Sequence, residues 1–121
     1  MMMKTSIPFS LLALFFVMSC DDIIEVEDIS NKTVTILAPT NNSMLTIDDV
    51  SFTWQTVEDA ERYTIQIATP DFENAIQVVL DSTTTTTNIS KTLSSGNYQW
   101  RVKAKNSDYE TPYTTQNLSI E

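Results

Sequence analysis

Gly96-Asn97-Tyr98-Gln99-Trp100-Arg101-Val102-Lys103-Ala104-Lys105-Asn106 decides the reading of this chain. Tyr98, Trp100, Val102 and Ala104 alternate with Gln99, Arg101, Lys103 and Lys105. A period of two sends successive side chains to opposite faces of a strand. One face here is aromatic and apolar and the other is basic, so the segment predicts a long strand with one side on a core and one in water. Gly96, the only glycine of the sequence, stands in the turn Ser94-Ser95-Gly96-Asn97 that leads into it.

Working outward, the same alternation recurs near Thr33 to Leu37, Val50 to Gln55, Arg62 to Thr69, Ala75 to Asp81, Thr84 to Ser90 and Tyr113 to Ile120. With Asn97 to Asn106 this makes about seven short strands, and turn residues separate them. Pro39-Thr40-Asn41-Asn42-Ser43 ends the first strand, because proline cannot donate to the ladder and asparagine favours turns. Pro112 opens the last strand. The spacing predicts an all-β fold, an immunoglobulin-like antiparallel β-sandwich. Its core is read from the faces: Phe52 and Trp54, then Tyr63, Ile65 and Ile67, then Tyr98, Trp100, Val102 and Ala104.

Trp54, then Ala60-Glu61-Arg62-Tyr63-Thr64-Ile65, then Leu93, Gly96 and Tyr98 through Asn106, together resemble a fibronectin type III domain spanning 33–121. The resemblance implies that Trp54, Tyr63, Leu93 and Tyr98 are structural core residues. It also implies that Tyr98 forms a tyrosine corner, its hydroxyl bonding backbone a few residues upstream. Leu93 lies five residues before Tyr98, where many family members place the leucine one residue further away, and this leaves the turn open. A sandwich of another immunoglobulin-like topology is the competing arrangement.

The formal net charge is −9, with no histidine and one cysteine. Nucleic-acid binding is not expected, because its binders carry basic patches, and docking on anionic lipid head groups is disfavoured in the same way. The commonest general base near neutral pH is missing. A histidine and cysteine zinc site is ruled out, so neither a metal nor another cofactor is expected.

The start of the chain reads as an address. Lys4 precedes an apolar run from Ile7 to Met18, and Ser19 precedes Cys20. That order is a secretory signal, and the run falls short of the roughly 20 residues a membrane span needs. Val17-Met18-Ser19-Cys20 resembles the lipobox of bacterial lipoproteins. The resemblance implies removal of residues 1–19 and lipidation of Cys20, hence a membrane partner through a lipid anchor. A chance cysteine behind an ordinary signal peptide is the competing reading. Residues 20–32 then form an acidic tether that could span about 40 Å when extended. Asp21 and Asp22 resemble a surface-export signal of some Gram-negative lipoproteins, which implies an outer-membrane, surface-exposed location, whereas in other bacterial groups an aspartate at Asp22 implies retention at the inner membrane.

No catalytic constellation is expected. Asp48-Asp49 and Glu58-Asp59 with Glu61 lack the calcium-loop pattern and read as solvated charge. Phe72, Tyr109 and Tyr113 lie near loops and are the candidate ligand-contacting aromatics. Arg101, Lys103 and Lys105 form a basic outer stripe that reads as the wet face of a strand or as a contact for an acidic partner. Asp81-Ser82-Thr83 resembles a short bacterial O-glycosylation motif, against the plainer reading of a threonine-rich strand. The sequence thus predicts a non-enzymatic binding or scaffolding lipoprotein of the cell envelope with a protein partner. The alternative is a glycan-binding accessory lipoprotein of a surface uptake assembly.

Overall fold

The computed structural model describes residues 25–121. The signal peptide, Cys20, Asp21 and Asp22 lie outside the described residues. Eight strands form two packed sheets. They are β1 (Ile36–Ala38), β2 (Ser43–Leu45), β3 (Asp49–Trp54), β4 (Arg62–Thr69), β5 (Gln77–Thr84), β6 (Asn88–Thr92), β7 (Gly96–Lys105) and β8 (Thr114–Ile120). One sheet has the order β1-β3-β6 and the other β2-β8-β7-β4-β5.

The all-β sandwich is as expected, with one strand more than the sequence predicted. The extra strand, β2, pairs parallel to β8, Met44 opposite Ser119, while every other named pair is antiparallel. Three residues are too few to show a period, so β2 carries no signal of its own. It exists because the chain leaves one sheet at Pro39, turns through Asn42 at a φ of 65°, and rejoins the other. The positive φ suits asparagine, whose short polar side chain tolerates the left-handed region.

The strand expected over Thr84 to Ser90 starts later, at Asn88, and β5 runs on to Thr84. Five consecutive threonines give no clue to where the turn falls. Thr84 and Thr86 fix it: the Thr86 N–H donates to Thr84 Oγ1 at 3.1 Å and the Thr86 hydroxyl donates to the Asn88 carbonyl at 2.9 Å.

The core lies between the sheets. Phe52 meets Trp100 edge to face, with ring centroids 4.7 Å apart, and Trp54 meets Tyr63 at 5.7 Å. Such pairs contribute about 0.5–1.5 kcal/mol beyond their buried area. Ile65, Ile67, Val102, Ala104, Leu118 and Ile120 fill the space around them. The packed unit takes in residues ahead of the Thr33 boundary, because Ile29 is fully buried in the same cluster. Asn106 Nδ2 donates to the Glu27 carbonyl at 2.9 Å and so fastens this segment to the sandwich.

Candidate functional site

Each core residue singled out in the sequence sits between the sheets: Trp54, Tyr63, Leu93, Tyr98 and Trp100 are all buried. The Tyr98 hydroxyl donates to the Ser94 carbonyl at 2.7 Å, four residues upstream. Gly96 makes that corner possible at a φ of 150°, a region open to glycine and strained for other residues. Tyr63 Oη accepts the Val57 N–H at 3.0 Å, which ties the β3–β4 loop to the core.

Function has to be sought on the outside, and the outer face of the five-stranded sheet is the most organised surface. Alternation along β7 places Gln99, Arg101, Lys103 and Lys105 there. The sequence left Phe72, Tyr109 and Tyr113 as separate rings, but the fold brings two of them together. The Arg101 guanidinium lies 4.0 Å from the Phe72 ring centroid and 4.3 Å from that of Tyr113. Its Nε donates to Gln66 Oε1 at 2.9 Å. Lys103 Nζ lies 4.6 Å from the Tyr113 ring and donates to Glu110 at 2.9 Å. That contact holds the Glu110 carboxyl below its ordinary pKa and raises that of Lys103.

Tyr109 stays apart, partly exposed, with its N–H on Asn106 Oδ1 at 2.9 Å. The aromatic platform therefore shrinks to two rings, both in contact with Arg101. The sequence could not announce this, because residues 72, 101 and 113 come from a loop, a strand and a strand approach.

Two poles close the sandwich. At one, buried Asn106 gathers three segments: its Nδ2 reaches the carbonyls of Glu27 and Asp59, and its Oδ1 accepts from the N–H groups of Asp108 and Tyr109. Lys32 adds a contact to Asp59 at 3.5 Å and one to the Glu58 carbonyl at 3.0 Å. Glu58, Asp59 and Glu61 belong to this pole, while Asp49 opens β3 at the other end of the molecule. Among the described residues no group of three or more acidic or cysteine side chains is arranged to hold a metal ion.

At the opposite pole, a depression of about 380 Å³ opens beside the start of β7 and the end of β8, lined by polar residues such as Asn42, Asp71, Asn97, Asn117 and Ser119. Sequence reasoning missed it, since its residues come from four separate stretches. Ser82 of the Asp81-Ser82-Thr83 motif lies within β5 opposite Ile65, on the side that faces the core.

The fold as a whole resembles solved structures. The fibronectin(III)-like modules of Clostridium thermocellum CbhA superpose with a TM-score of 0.54 at 13% identity, covering 74% of this chain and 96% of theirs. The sandwich is fibronectin type III-like. The crystal structure of FN3tt agrees at 0.53 and 16% identity, over 74% of this chain and 97% of that one. The fibronectin type III domain of human KIAA0970 agrees at 0.54 and 14%, over 76% and 77%. Likeness at these identities shows the fold of the fibronectin type III-like domain and not its ligand. No protein-family model and no curated protein matches the chain.

Proposed function

We propose that the protein is a non-enzymatic lipoprotein of the bacterial cell envelope, anchored through Cys20 at the outer membrane and exposed at the surface. Its fibronectin type III-like domain serves there as a binding or scaffolding module for a protein partner. The fold supports a binding or scaffolding role in general terms. The finer reading rests on the Val17-Met18-Ser19-Cys20 sequence, and it is compatible with the Asn106 hydrogen bond that holds Glu27 against one end of the domain. From Cys20 to Glu27 an extended chain reaches about 25 Å, shorter than the sequence boundary suggested. On this reading the pole with Asn106 faces the membrane, and the polar depression at the other pole points outward.

Glu58, Asp59, Glu61 and Asp108 at the near pole are interspersed with Lys32, Arg62 and Lys105, so this end offers anionic lipid no basic patch to dock on. Arg101 covers faces of Phe72 and Tyr113, so a glycan-binding alternative would have to draw on polar contacts elsewhere rather than on these two rings. Two measurements test the proposal. Cys20→Ala is expected to abolish fatty-acid labelling and membrane fractionation, and persistent labelling would refute anchoring at this residue. Crosslinking in intact cells is expected to capture a surface protein, and a partner confined to the cytoplasm would refute the location.

A further inference from the structure

The depression at the pole remote from Glu27 has a built polar lining. Gln99 is held twice, its Oε1 accepting the Phe72 N–H at 2.9 Å and its Nε2 donating to Asn117 Oδ1 at 3.1 Å. Asn117 is gripped from the other side by Asn41, whose Oδ1 accepts the Asn117 N–H at 2.8 Å. The first contact orients the Asn117 side-chain amide through its oxygen, the second holds its backbone, and its NH2 group makes no hydrogen bond among the described residues. Asp71 uses Oδ1 to cap the Asn74 N–H at 2.7 Å, which leaves its second oxygen to accept. Among the described residues the side chains of Asn42, Asn97 and Ser119 make no hydrogen bond with the protein.

We infer that this depression binds a neutral saccharide. Each sugar hydroxyl both donates and accepts, and amides paired with one carboxylate oxygen answer both needs. The remaining ligand classes fit poorly. No lysine or arginine lines the site, and Asp71 on a chain of net charge −9 repels anions. A divalent cation would have a single carboxylate here to balance its charge, and among the described residues no group of acidic side chains is arranged to hold one. Tyr98 and Leu118 are buried in the core, so Pro70 is the one partly exposed apolar residue of the lining and gives a hydrophobic peptide side chain little wall.

Met44, 67% exposed, stands in one row with Ser119 and Asn97 across β2, β8 and β7. It lies next to the lining residue Ser119 rather than in the lining itself, within reach of the C–H face of a sugar that extends past the depression. The volume of about 380 Å³ lies at the low end of small-molecule sites, which suits the end of a chain rather than a long stretch. The inference rests on reading the domain as a binding module and adds the chemical class of one ligand.

The test uses the full chain, labelled with 15N and titrated with neutral hexasaccharides of glucan, mannan and xylan type and with an oligogalacturonate as the anionic probe. The expected result is that a neutral hexasaccharide moves the side-chain NH2 signals of Asn97 and Asn117, and that Asn97→Ala and Asp71→Asn each weaken binding about tenfold. The backbone spectrum of each variant reports its folding, and two substitutions at different walls keep the test decisive if one of them perturbs the fold. No shift at about 10 mM of any neutral probe, equal shifts from the anionic one, or binding that survives both substitutions would overturn the inference. Those outcomes leave the binding-module reading to be judged by the crosslinked partner.

Discussion

The side-chain amide of Asn106 donates to the backbone carbonyl of Glu27 across 2.9 Å, although 79 residues separate them. The same side chain bonds Asp59, Asp108 and Tyr109, and it is almost fully buried. Removing it deletes four part-buried hydrogen bonds to the backbone, each contributing about 0.5–1.5 kcal/mol net. Asn106→Ala is therefore expected to lower stability by about 2–3 kcal/mol in urea unfolding. A loss below about 0.5 kcal/mol would mean that water replaces these bonds freely.

Ile29 makes the same seam apolar. It is fully buried beside Val34 in the main cluster, and truncating a buried isoleucine to alanine costs about 2–5 kcal/mol. Ile29→Ala is expected to fall within that range. Equally, a chain beginning at Thr33 should unfold at lower denaturant than one beginning at Glu27, and equal midpoints would show that the segment adds nothing.

Arg101 packed against Phe72 links the β4–β5 loop to the sheet. Cation–π contacts contribute about 0.5–1 kcal/mol when exposed and more when desolvated. A double-mutant cycle with Arg101→Met and Phe72→Leu is expected to give a coupling of about 0.5–1 kcal/mol. Coupling indistinguishable from zero would reduce the stack to coincidence of position.

The sandwich was legible in the sequence where one face meets the core and the other meets water. β4 falls on the expected Arg62 to Thr69, and β7 lies one residue from its expected limits. Legibility failed where the period is absent or degenerate, in the three residues of β2 and in the threonine run. It failed again for sites built across strands. The meeting of Phe72, Arg101 and Tyr113 depends on a loop folding back over the sheet, and nothing local in the sequence encodes that approach. Ile29 was hidden by its acidic neighbours, since isoleucines scattered among carboxylates without a period read as tether.

The Lys103–Glu110 pair sets a pH window. The hydrogen bond from Lys103 lowers the folded pKa of Glu110 from its ordinary 4.5, so its stabilisation is present above that value and is lost as pH falls through the folded pKa. The same bond raises the folded pKa of Lys103 from its ordinary 10.5, so that contribution is present below 10.5 and is lost as pH rises through the folded pKa. Glu110 is half exposed, and solvent screening keeps such a pair below about 1 kcal/mol. The stability difference between the native chain and Glu110→Gln is expected to be largest between about pH 5 and 10 and to shrink at both ends. A difference that grows below pH 4 would contradict the assignment.

Gln116 stands opposite Trp100 on β7 and β8, on the inward face. Its Oε1 and the Trp100 Nε1 are both buried, and neither has a hydrogen-bond partner. An unpaired buried acceptor costs about 1–3 kcal/mol, whereas an apolar group of similar shape carries no such penalty. Leucine also keeps most of the glutamine's volume, so little cavity is created. Gln116→Leu is therefore expected to be neutral or to stabilise by about 1 kcal/mol in urea unfolding. Gln116→Glu should destabilise, because it places a charge where an amide already lacks a partner. A loss above about 1 kcal/mol in the leucine variant would show that the amide is satisfied after all.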